Sequence, residues 1–90
     1  MWNKKSELQC LLIYKILKAE NFPRGKQAEL CSELTKSTNL TKGSLSAKVS
    51  NYKSVAGVNN HSNASRDTIK YYEEYKNMSI DNLRKTISKL

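Results

Sequence analysis

Apolar residues return at three- and four-residue intervals through most of this chain, and no stretch of it makes a credible strand. Leu8, Leu11, Leu12, Ile16 and Ala19 set one such stripe, and a helix is expected to end near Ala19. Its start is an S-x-x-Q capping box at Ser6 and Gln9, or one turn earlier at Asn3. Ile13 and Leu17 widen this apolar surface beyond one stripe, which marks a candidate partner surface, while Tyr14, Lys15 and Lys18 fall on the other side. Asn21 to Gly25 breaks the helix. A second helix, about residues 26–36, turns Ala28, Leu30, Cys31 and Leu34 inward and Glu29 and Glu33 outward. Ser37 to Leu40 links it to a third helix capped by Thr41. A loop rich in asparagine precedes a fourth helix capped by Asn63 or Ser65, with Ile69, Tyr72 and Tyr75 or Tyr71 inward. Ser79 caps a fifth, where Ile80, Leu83, Ile87 and Leu90 recur. The expectation is an all-α, compact bundle of about five short helices containing a helix-turn-helix. Its 90 residues make one domain with a modest core. The pattern runs to Leu90 with no glycine or proline stop signal, which points to a dimerising helix or to the N-terminal part of a longer protein.

The charge is as unevenly placed as the apolar residues are regular. Net charge is +8, from 16 basic and 8 acidic residues. Between Glu33 and Asp67 there is no carboxylate, yet Lys36, Lys42, Lys48, Lys53 and Arg66 lie there. A concentrated positive charge argues for a polyanionic partner more strongly than a high isoelectric point does.

The centre of that stretch is Thr41 to Ser54, read as one helix. Leu45, Val49, Tyr52 and Ala56 give it an apolar face. At about 100° per residue the opposite face holds Gly43, Ser44, Ala47, Ser50, Asn51 and Ser54, with Lys48 on one flank and Lys42, Ser46 and Lys53 on the other. Short polar groups edged by lysines suit a helix lying in a DNA major groove, because they allow close approach to base edges while the cations reach phosphates. The expected base contacts are Ser44, Ala47, Ser50 and Asn51. The expected phosphate contacts are Lys36, Lys42, Ser46, Lys48, Lys53 and Arg66. Helix, short link, then basic helix is the helix-turn-helix plan, with Leu40 packed in the angle.

Gly43-Ser44-Leu45, Lys48, Asn51-Tyr52, Gly57, Asn63-Ala64-Ser65 and Tyr72-Glu73-Glu74-Tyr75 together resemble the N-terminal helical DNA-binding domain of HNH-type endonucleases. The same pattern is similar to that of related phage and mobile-element proteins, phage-satellite replication initiators included. The resemblance spans roughly residues 29–75. It implies a domain that binds a double-stranded DNA site for a partner activity such as replication initiation or a nuclease. Lys42 stands where that family often has arginine, and Ser54-Val55-Ala56 where it often has a Leu-Asp-Pro-like turn.

Other functions find less support. Hydrolysis needs metal-binding carboxylates or a histidine base near a nucleophile. Four of the eight acids lie on the first two helices and the one histidine, His61, sits in a loop, so no catalytic residue, metal site or cofactor is expected, and any catalysis would belong to a further C-terminal region. Stacking of single-stranded nucleic acid wants exposed aromatics, and the only aromatic in the basic stretch is Tyr52, on the apolar face. The alternative is a protein-interaction or dimerisation module, or a small transcriptional regulator. The apolar cluster Leu11 to Ile13 is too short for a bilayer, so no membrane partner is expected. The expected compartment is the cytoplasm and the expected assembly a homodimer. Cys10 and Cys31 are expected as buried thiols, with a disulfide as the alternative.

Overall fold

In the computed structural model residues 2–58 and 64–90 are described, and five α-helices account for most of them. They are α1 (Lys4–Ala19), α2 (Lys26–Leu34), α3 (Lys42–Val55), α4 (Arg66–Tyr75) and α5 (Ile80–Ser88). A short 3-10 turn, Thr35–Ser37, follows α2, so the second helix stops two residues earlier than its periodicity suggested. Among the described residues there is no strand, and no helix is long and apolar enough to cross a membrane.

Four of the helices begin on a side-chain cap: Asn3, Thr41, Ser65 and Ser79 each accept an amide of the first turn. At α1 the capping box is Asn3 with Ser6, not Ser6 with Gln9, because the chain becomes helical one turn sooner. For α4 the cap is Ser65; Asn63 and His61 lie outside the described residues.

Helix α1 packs against all four others, and that central position explains the main departures from the sequence pattern. Ile13 and Leu17, expected as a partner surface, are core residues 6% and 1% exposed, since a helix surrounded by neighbours buries more than one stripe. Tyr14 was expected outside and is buried between Phe22 and Tyr72, with both ring centroids 6.3 Å away. Ala28 and Ile69 were expected inside and are exposed. Leu83 and Ile87 of α5 close the core against α1. Cys10 and Cys31 are free, buried thiols.

The turn out of α1 is made by two left-handed residues, Asn21 at φ 60° and Phe22 at φ 53°. Their amides return to Lys18 O and Leu17 O in a Schellman arrangement. A positive φ is strained for an aromatic residue. Phe22 is held there by its contact with Tyr14 and by the Lys53 ammonium, 5.4 Å above its ring. The same hydrogen-bond pattern ends α3, where Gly57 takes φ 81° without a Cβ penalty. Lys15 fastens the far end of α4, donating to the carbonyls of Lys76 and Met78 at 2.8 Å each.

What fixes α3 is polar and buried. Glu7 of α1, 4% exposed, accepts from three groups: the Lys48 ammonium (3.3 Å), the Tyr52 hydroxyl (2.9 Å) and the Thr68 hydroxyl (3.2 Å). Lys48 also donates to Thr68 Oγ1 at 3.0 Å and lies 4.6 Å over the Trp2 ring. Burial first, then the charge and hydrogen bond of Glu7, pushes the Tyr52 pKa up, so this hydroxyl keeps its proton and remains a donor. Every member of the cluster is satisfied, and it ties α1, α3 and α4 at one point.

Removing one partner from such a pair leaves an uncompensated buried charge, a loss of about 3–5 kcal/mol. That approaches the whole stability of many small domains. Lys48→Met is therefore expected to lower the unfolding free energy by that amount in chemical denaturation. Adding Glu7→Gln to the same chain should recover more than half of the loss. If Lys48→Met stays within about 0.5 kcal/mol of the parent, the usual range of a surface change, the pair is not what holds α3.

Candidate nucleic-acid interface

Because α1 takes Leu45, Lys48, Val49 and Tyr52 as its contact face, the remaining side of α3 is turned outward. Its two borders can be assigned from hydrogen bonds. Gln27 of α2 donates to Ser46 and Ser50, so α2 runs along that edge. Thr68 of α4 meets Lys48, so α4 runs along the other. Between them lies a strip of small side chains: Gly43, Ser44 and Ala47 are exposed, and Ser50, Asn51 and Ser54 are half-buried. Asn51 and Ser54 also have contacts within the protein. No carboxylate belongs to α3.

Each expected site residue can now be placed. Ser44, Ala47, Ser50 and Asn51 share the outward strip. Ser44 has a second role, its amide and hydroxyl both bonded to the capping Thr41 hydroxyl (3.1 and 3.0 Å). Lys42 is exposed beside the first turn of the strip. Lys53 is half-buried, its ammonium over the Phe22 ring. Lys36 is exposed on the 3-10 turn and pairs with Glu33 at 3.4 Å, an exposed contact worth little. Arg66 is exposed at the first position of α4. Ser46 is half-buried under Gln27.

Lys48 does not belong with them. It is 8% exposed and its ammonium is spent on Glu7 and Thr68, so it is a structural residue and not a flank cation. Its place in the sequence carried the signal: position 48 lies three after Leu45 and four before Tyr52, within the buried stripe. Sequence reasoning also missed Gln27, whose contact with α3 spans 19 and 23 residues of chain.

Among the described residues no group of three or more His, Cys, Asp or Glu side chains could hold a metal ion. No protein-family model, no curated protein and no solved structure matches this chain.

The strip is held in shape by the cap at its head. Thr41→Ala should cost about 1 kcal/mol, the usual loss for an N-cap hydroxyl. The Ser44 amide, which the cap receives, should then exchange its hydrogen faster, while amides near Tyr52 are unchanged. Equal exchange at Ser44 in both proteins would show that the cap does not order the strip.

Proposed function

We propose that this is a sequence-specific double-stranded DNA-binding domain in which α2 and α3 act as a helix-turn-helix. The observation that carries this reading is the outward strip of α3: short hydrogen-bonding groups, free of acids, beside exposed bases. A helix of this kind enters a major groove closely, with its N-terminal turns at the base edges. Asn51 would pair with adenine N6 and N7, Ala47 would lie against a thymine methyl, and Ser44 and Ser50 would donate or accept. Lys36, Lys42, Lys53, Arg66 and Ser46 would hold phosphates. Lys48 is withdrawn from that set by its burial and contributes by holding the helix that carries the others. The resemblance across residues 29–75 adds the expectation that the bound site serves a partner activity, replication initiation or a nuclease.

The test is to select duplexes from a random library and compare Asn51→Ala with the parent on a selected and on a scrambled duplex. A base reader loses roughly 1–3 kcal/mol on the selected site and almost nothing on the other. Equal losses on both would make Asn51 a phosphate or structural residue, and no loss on either would take α3 out of the groove.

A second reading, pairing between two copies, is favoured by a different surface. Between α1, α2 and α5 runs an apolar groove of about 390 Å³, lined by Leu12, Ile13, Ile16, Leu30, Leu34 and Ile87. Leu17 takes no part in it, being 1% exposed in the core, and Ile13, 6% exposed, lies at its floor. A dimer would read half-sites about 34 Å apart or a multiple of it. Sedimentation is expected to show a dimer that Leu34→Glu abolishes. Monomer at every concentration, with and without duplex, would contradict pairing.

A further inference from the structure

Gln27 touches the outward strip without belonging to it. Its Nε2 lies 3.1 Å from the Ser46 carbonyl oxygen, 3.0 Å from Ser46 Oγ and 3.2 Å from Ser50 Oγ. The Ser46 carbonyl decides which way the side-chain amide faces, because a carbonyl only accepts and must meet the NH2 group. With one N–H given to the carbonyl, the second is shared between the two serine oxygens, and both face the amide as acceptors because its nitrogen cannot accept. A hydroxyl that accepts in this way still has its own proton to give. Among the described residues neither Ser46 nor Ser50 gives that proton to a protein group.

We infer that Gln27 is a positioning residue that sets the polarity of this edge, turning the Ser46 and Ser50 hydroxyls into donors aimed at acceptors on DNA. The inference rests on the DNA-binding reading and deepens it. The acceptors are oxygens or nitrogens without hydrogens, either phosphate oxygens or base-edge atoms such as guanine N7 and O6, adenine N7 and thymine O4. Left to itself, a helical serine bonds back to the carbonyl three or four residues before it and offers its oxygen outward instead. Gln27 occupies the Ser46 carbonyl, which lies four residues before Ser50 and is one of the two helical acceptors within reach of its hydroxyl.

The experiment is a mutant cycle with fluorescently labelled duplexes, one selected by the parent protein and one scrambled. Gln27→Met keeps the length of the side chain and removes the donation. It is expected to weaken binding about tenfold, the scale of one lost hydrogen bond to a base edge. The pair Ser46→Ala and Ser50→Ala should lose about as much, and adding Gln27→Met to that pair should cost little more. Gln27→Glu, measured in both backgrounds, should lose more in the parent than without the serines, because a carboxylate draws their protons inward. Loss on both duplexes assigns the acceptors to phosphates, and loss on the selected one alone assigns them to base edges. Either supports the inference. Fully additive losses, or no loss in a Gln27→Met protein with an unchanged melting temperature, overturn it while the DNA reading stands. Failure of the parent protein to bind any duplex overturns both.

Discussion

A carboxylate with no exposed surface to speak of governs this structure. Glu7 is buried on the central helix, and three donors from two other helices converge on it. Taking an ion out of water costs several kcal/mol, repaid only if its partners meet it in good geometry. The cluster therefore penalises any arrangement in which α1, α3 and α4 are displaced from one another. Apolar contact alone would tolerate a rotation of α3 by a fraction of a turn. A lysine and a tyrosine that must both reach one carboxylate do not.

The consequence for function is a division of labour along one helix. The buried side of α3 spends a lysine and a tyrosine on orientation, and the outward side is left with groups too small to make a surface of their own. Positive charge in the acid-free stretch is thus not all of one kind. Lys48 is neutralised inside, while Lys42 and Arg66 stand in solvent and Lys53 is shared with an aromatic ring. A net charge of +8 overstates what α3 can offer a phosphate backbone, and the exposed bases define it better.

Much of the fold was legible in the sequence because the relevant signals are local. Thr41 and Ser79 announce their helices as caps, and Leu45, Val49 and Tyr52 announce the buried face of α3. Long-range packing was less legible. That Ile13, Tyr14 and Leu17 are all buried follows from α1 being enclosed by four neighbours, which no single-helix periodicity contains. Ile69 is exposed because Thr68, a polar residue, takes the inward position of α4 to serve Glu7 and Lys48. For the candidate site, the outward strip could be read from spacing, whereas Gln27 and the withdrawal of Lys48 required knowing which helix lies beside which.

The central claim is that the outward strip of α3 is the surface that meets DNA. Titrating isotopically labelled protein with a short duplex at low salt, and following backbone amide resonances, tests it directly. The account predicts that the largest shifts fall on Gly43, Ser44, Ala47, Ser50 and Asn51, with smaller ones at Lys42, Gln27 and Arg66, while Glu7 and Leu83 scarcely move. Shifts gathered instead on Leu12, Ile16, Leu30 and Leu34, or no shifts at all, would contradict it.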